Sequence, residues 1–291
     1  MNAYVELARP LNAAMAAFSA LVGALVVQGT DVLDDATLLP VALGMVVTFL
    51  VTAGGNAFND YMDAEVDRAG HPGRPLPSGR LTRPQALRFS FACFVVAQPL
   101  TGLVVSVGIS GIFPLVVELI AVDFLFVYEL WLKARGLPGN LTVGLLSALT
   151  LLFGAACAAG PLHEGMPTVA VLFAIAFFAS TGREVTKDIE DLEADRGARV
   201  TLPMLVGRKM AVGTALTFIA GAVMLSPLPI WPMAVLGPAY IPLVLVADAA
   251  FIYSLAILGS DPASAQRVQK VGFMFALLAF LAGSYEGGIA L

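Results

Sequence analysis

Nine apolar windows, near 11–28, 38–62, 85–107, 111–133, 139–159, 167–187, 209–225, 233–258 and 268–286, divide the chain. Each is close to the ~20 residues a helix needs to cross the hydrocarbon core of a bilayer. So much apolar length predicts an all-α, polytopic membrane protein forming a single domain over residues 1–291. Charge content agrees: 13% of the residues are Asp, Glu, Lys or Arg, where soluble domains carry about a quarter. No basic segment leads into a short apolar run with a small-residue cleavage site, so no signal peptide is expected. Cys93 and Cys157 fall inside apolar windows, which argues against a disulfide framework or a metal motif.

The connections alternate sharply in charge. Arg9 precedes the first window, and Arg68, Arg74, Arg80, Arg83 and Arg88 surround the second connection. Lys133 and Arg135 mark the fourth, Arg183, Lys187, Arg196, Arg199, Arg208 and Lys209 the sixth, and Arg267 and Lys270 the eighth. All 16 basic residues are thereby placed on one side, while the opposite connections hold Asp31, Asp34, Asp35 and Glu164. The positive-inside bias predicts a multi-pass protein of the cell membrane with its amino terminus cytoplasmic and its carboxyl terminus outside. Basic residues that border spans and interleave with acids give no sign of a nucleic-acid partner.

Two acidic stretches stand at window ends on that basic side. Asn59, Asp63 and Asp67 recur every fourth residue, which on a helix makes one stripe with roughly 6 Å between neighbours. A shift of 128 residues carries Asp60, Asp63, Asp67 and Arg68 onto Asp188, Asp191, Asp195 and Arg196, and Pro75 onto Pro203. Windows two and six are four spans apart and run the same way, so a parallel four-helix internal repeat with a ninth helix appended is expected. Glu184, Asp188, Asp191 and Asp195 share one helical face, from which Glu190 and Glu193 point away. A solvated acidic helix end is the simple alternative, but ionisable groups bordering a membrane span are costly and generally functional.

Two facing acidic stripes need cations. Oxygen donors of this kind suit Mg²⁺, which takes one or two carboxylates and completes its shell with water and phosphate oxygens. Asn59, Asp63, Asp67, Asp188, Asp191 and Asp195 are the candidate metal ligands, with a diphosphate bridging the two sides. Arg74, Lys133, Lys187 and Arg199 are placed to neutralise the remaining phosphate oxygens. Metal-bound diphosphate is a good leaving group, and the membrane offers a dry slot for an isoprenoid tail.

The same residues carry a family resemblance. Asn59-x-x-x-Asp63-x-x-x-Asp67 with Arg74-Pro75-Leu76-Pro77-Ser78-Gly79 resembles the first motif of the UbiA superfamily of intramembrane prenyltransferases. Asp191-x-x-x-Asp195 with Thr201-Leu202-Pro203 and Gly207 resembles the second, and Tyr128 through Leu132-Lys133 the third. Arg9-Pro10-Leu11-Asn12 is similar to the usual opening. The resemblance implies nine transmembrane helices around a central cavity with a cytoplasmic cap, and Mg²⁺-dependent prenyl transfer from a prenyl diphosphate. It implies catalytic roles for Asp63, Asp67, Asp191, Asp195, Tyr128 and Lys133. Asn12, Asn59, Arg68, Arg74, Arg183, Lys187 and Arg199 are the candidate substrate contacts.

Within that superfamily, Arg183-Glu184-Val185-Thr186-Lys187-Asp188-Ile189-Glu190-Asp191 followed by Thr201-Leu202-Pro203 most resembles the enzymes that attach geranylgeranyl to geranylgeranylglyceryl phosphate in archaeal-type ether lipid synthesis. Ala194 departs from that pattern, where Gly is common. Prenylation of 4-hydroxybenzoate or a naphthoate is the alternative within the superfamily, and an ion-coupled transporter the alternative outside it. Glu118, Asp123 and Asp248 lie inside windows, where either a cavity role or a helix-to-helix hydrogen bond is expected. Gly54-Gly55 reads as a close-packing site, and His71 and His163 as polar loop residues.

Overall fold

The computed structural model describes residues 2–193 and 199–287, which contain helices and turns but no strand. A short α1 (Ala3–Ala8) leads into α2 (Pro10–Gln28), a 3₁₀ turn (Gly29–Leu33) and α3 (Asp35–Met62). Then come α4 (Asp67–Gly70), α5 (Arg83–Val107), α6 (Phe113–Val127) and, without a break, a π-helical turn (Tyr128–Leu132). The second half holds α7 (Leu137–Ala158), α8 (Met166–Glu190), a short α9 (Leu202–Val206), α10 (Arg208–Leu225), α11 (Tyr240–Ile257) and α12 (Pro262–Gly287).

Local sequence sets these boundaries. Proline stands in the first turn of α2, α5, α6, α7, α8 and α9, where its missing N–H costs no helical bond. The start of α5 is further fixed by Gln85, whose Oε1 accepts from the Thr82 backbone N–H at 2.8 Å.

The protein is a multi-pass membrane protein. Among the described residues, 8 helices are long and apolar enough to cross a bilayer. The remaining expected window, 111–133, is filled by α6, of 15 residues, continued by the five-residue π turn. The expected ninth crossing would therefore be this composite segment. Apolar side chains such as Leu103, Leu119, Leu245, Ile252 and Met274 stand exposed on the bundle's outside, as a lipid-facing surface requires.

The helices close into a ring. α3 packs on α2 and α5, α6 on α5 and α7, α8 on α7 and α10, and α11 on α10 and α12, which returns to α2 and α8. The contact between α2 and α7 is unusually close because glycine sits on both sides. A Cβ at Gly154 would lie 1.7 Å from the Ala20 carbonyl oxygen, and one at Gly23 would lie 1.9 Å from that of Leu151. Two large apolar clusters fill the bundle, and α2 and α7 contribute to both: Ala24 and Leu149 to one, Val22 and Leu151 to the other.

The Gly54-Gly55 pair packs as expected. A Cβ at Gly54 would meet Ser90 O at 3.1 Å, and one at Gly55 would meet Leu125 Cδ1 at 2.5 Å. Two of the intramembrane acids make helix-to-helix hydrogen bonds: Gln98 Nε2 donates to Glu118 Oε1 at 3.0 Å, and Ser226 Oγ to Asp248 Oδ2 at 2.6 Å. Asp123 stands exposed on α6.

Candidate active site

The ends of α3 and α8 are built alike. Asp63 caps α3 at φ −86°, ψ 4°, and Asp191 caps α8 at φ −85°, ψ 5°. Each donates its backbone N–H to the carbonyl four residues back, Asn59 and Lys187, at 2.9 Å. Beyond Asp63 the α-helix gives way to turns, so the first stripe does not ride on one uninterrupted helix. Its spacing survives because the Asp67 N–H bonds to the Asp63 carbonyl at 2.9 Å, again four residues back.

Each aspartate of the first stretch meets a basic side chain. Asp60, 3% exposed, is bonded by Arg9. Asp67, 5% exposed, accepts from Arg74 at 2.6 Å, and Arg74 also lies 3.7 Å from Asp60. Arg9 occupies the junction of α1 and α2 in a left-handed conformation, φ 48°, ψ 66°. Such a conformation costs a non-glycine residue roughly 1–2 kcal/mol. The ion pair with buried Asp60 holds it, and strain of this sort concentrates at functional sites. Arg80 fastens the loop over these groups, bonding Glu6 of α1 at 2.6 and 2.9 Å and the Gly73 carbonyl at 2.6 Å. That pair draws the Glu6 carboxyl below the usual range.

Between the halves stands the π turn, closed by the Lys133 N–H on the Tyr128 carbonyl at 2.9 Å. Lys133 Nζ donates to Asp63 at 2.6 Å and to Glu129 at 2.9 Å, and lies 5.9 Å from the centre of the Tyr128 ring. Asn59 Nδ2 donates to the other oxygen of Glu129 at 2.6 Å.

On the second side, Asn140 of α7 donates to Asp188 Oδ2 at 2.9 Å. Glu184 accepts from Arg183 at 2.9 Å and has Lys187 at 3.9 Å. A narrow cleft is lined by Tyr128, Lys133, Asn140, Glu184, Lys187, Asp188 and Arg199. Lys133 thus touches the first stripe while lining the cleft of the second. Glu190 and Glu193 line a separate hollow beside Arg208 and Asp261, on the other face as expected.

The structure therefore gathers Asn59, Asp63, Asp67, Arg74 and Lys133 around the end of α3. It sets Tyr128, Lys187, Asp188 and Arg199 along the cleft beside α8, with Arg183 paired to Glu184 there and Asp191 at the helix end. Of the expected substrate contacts, Arg68 stands apart from these groups, whereas Asn12 meets α3 one turn before Asp60. Arg68 is 68% exposed at its side chain and pairs with Glu65 at 2.9 Å. Asn12 donates to Asn56 Oδ1 at 3.2 Å on the first turn of α2. Asp195, expected as both catalytic group and metal ligand, and Arg196 lie outside the described residues.

Glu129 and Asn140 were not singled out from the sequence. Glu129 had a signal, an acid inside an apolar window four residues before a lysine. So had Asn140: the same shift of 128 residues carries Pro10 and Asn12 onto Pro138 and Asn140. Among the described residues no three His, Cys, Asp or Glu side chains are grouped closely enough to hold a metal by themselves. The donor set is nonetheless hard oxygen at the ends of two helices, a chemistry that suits Mg²⁺, which completes its shell with water and phosphate oxygens.

Known proteins of this architecture agree. The digeranylgeranylglyceryl phosphate synthase of Methanopyrus kandleri is 41% identical over 286 residues, covering 97% of this chain and 99% of its own. A solved structure of digeranylgeranylglyceryl phosphate synthase in membranes superposes with a TM-score of 0.76 at 30% identity, over 98% of each chain. A UbiA homolog from Archaeoglobus fulgidus, bound to DMAPP and Mg²⁺, has the same fold with a TM-score of 0.71 at 17% identity, over 99% of each chain. Residues 16–280 match the UbiA prenyltransferase family, and with a 41% identical relative aligned over nearly its full length the chain belongs to that family of intramembrane prenyltransferases.

Proposed function

We propose that this protein transfers a geranylgeranyl group from geranylgeranyl diphosphate to the free hydroxyl of geranylgeranylglyceryl phosphate, with release of diphosphate. The observation that carries this reading is the 41% identity to a digeranylgeranylglyceryl phosphate synthase over nearly the full length of both chains. The whole of residues 1–291 is taken as one catalytic domain, with the aspartate-rich face towards the cytoplasm, where the basic residues of the sequence are concentrated.

In this reading Asn59, Asp63 and Asp67 on one side, with Asp188, Asp191 and Asp195 on the other, hold Mg²⁺. The bound metal would take up the negative charge that develops on the departing diphosphate. Arg74 and Lys133, now paired with Asp67 and Asp63, are within side-chain reach of ligands held by those carboxylates and grip phosphate oxygens. The bond from C1 of the prenyl group to the diphosphate oxygen breaks, its electron pair leaving with the diphosphate. The acceptor hydroxyl oxygen bonds to C1 and releases its proton. Tyr128 faces the cleft, and its ring shields and stabilises the allylic cation. A phosphorylated glycerol acceptor needs cationic contacts of its own, which Arg183, Lys187 and Arg199 supply.

The test is an acceptor panel. Purified protein in lipid vesicles is incubated with geranylgeranyl diphosphate, Mg²⁺ and either geranylgeranylglyceryl phosphate or 4-hydroxybenzoate, and product and diphosphate release are measured. The expected product is the ether from the glycerol phosphate. C-prenylated 4-hydroxybenzoate with no ether product would overturn the acceptor assignment.

A further inference from the structure

We infer that Glu129 is a positioning residue that aims both Asn59 and Lys133 at the diphosphate side of the site, an inference that rests on the prenyl-transfer reading. Four side chains form a closed circuit: Asn59 donates to Glu129 at 2.6 Å, Lys133 to Glu129 at 2.9 Å and to Asp63 at 2.6 Å, with Asn59 and Asp63 one turn apart on α3. Glu129 is 8% exposed, and its side chain is 4% exposed.

An ionised carboxylate only accepts hydrogen bonds. Facing Asn59, it fixes the amide so that the NH₂ end is committed and the carbonyl oxygen is the end left over. An oxygen is what a cation-binding asparagine must present. Facing Lys133, the second carboxylate oxygen takes one of the three ammonium protons while Asp63 takes another, and the third is left for a phosphate oxygen. When Asp63 turns to a cation, Glu129 keeps Lys133 in place. The π turn supports this arrangement: its wider winding closes Lys133 back onto Tyr128 while Glu129 points at α3, and inserted turns of this kind are frequent at functional sites.

A merely structural Glu129 and a positioning one predict different kinetics. The variants are Glu129→Gln, which keeps shape but gains a donor, Glu129→Asp, which keeps charge, Lys133→Gln, and Glu129→Gln combined with Lys133→Gln. We expect Glu129→Gln to raise KM for geranylgeranyl diphosphate about tenfold, with KM for the acceptor unchanged and Glu129→Asp closer to wild type. The double variant should lose less than the two single losses combined, because part of the Glu129 effect acts through the Lys133 ammonium and only the rest through Asn59. Calorimetric binding of inorganic diphosphate with Mg²⁺ should weaken in the same order. Unchanged KM in Glu129→Gln, equal increases for both substrates, or additive losses in the double variant would overturn the proposal. A wild-type protein that binds diphosphate but transfers no prenyl group would instead refute the proposed function, while the binding series still reports on Glu129.

Discussion

Replacement of Gly154 by Ala tests whether the close approach of α2 and α7 holds the site together. The new Cβ would lie 1.7 Å from the Ala20 carbonyl oxygen, 2.4 Å from its carbon and 2.6 Å from its Cα. Ordinary contact begins at 3.4 Å, so the helices must part by about 1.7 Å. All three obstructing atoms are backbone, and no side-chain rotation relieves them. Overpacking of this sort costs typically 1–3 kcal/mol. The displaced α7 carries Asn140, whose 2.9 Å bond to Asp188 would be stretched or lost. Gly213 in α10 is the matched control, because a Cβ there meets nothing within 4 Å. Gly→Ala at an open helical position stabilises by about 1 kcal/mol at most. Thermal unfolding in detergent, followed by tryptophan fluorescence, should therefore give opposite signs: a lower midpoint for Gly154→Ala and an equal or higher one for Gly213→Ala. Prenyl transfer should fall only in the first. Equal midpoints and equal activity for wild type and Gly154→Ala would refute the packing argument.

Three further outcomes are expected. Asp63→Ala and Asp191→Ala should each reduce turnover below detection at millimolar Mg²⁺, because each removes a carboxylate from one side of the proposed metal site; near-normal turnover in either would rule out a two-sided clamp. Arg74→Gln and Lys133→Gln should raise KM for prenyl diphosphate far more than for acceptor, and the reverse pattern in steady-state kinetics would reassign them. In a protein lacking Cys93 and Cys157, the variants Leu76→Cys and His163→Cys should be labelled from opposite faces of sealed vesicles by an impermeant maleimide; labelling from one face would overturn the topology.

The sequence alone determined the features that depend on local periodicity. Apolar length specified a helical membrane protein, since a bilayer leaves backbone groups no partner outside the helix. The spacing of four predicted the Asn59, Asp63 and Asp67 stripe, and the shift of 128 residues predicted that Asp63 and Asp191 hold equivalent places; both cap their helices with nearly the same dihedrals. Tertiary structure decided which charges face one another. Arg9 reaches Asp60 across 51 residues, Glu129 reaches Asn59 across 70, and Asn140 reaches Asp188 across 48. Such pairings follow from how closely α2, α3, α7 and α8 approach and how they are turned, which no single helix encodes in its own spacing. Arg68 shows the converse. It follows Asp67 directly in sequence, yet the turns after Asp63 bury the aspartate against Arg74 and leave the arginine exposed beside Glu65. Adjacency in the chain sets a residue's register, and only packing sets the direction in which its side chain meets a partner.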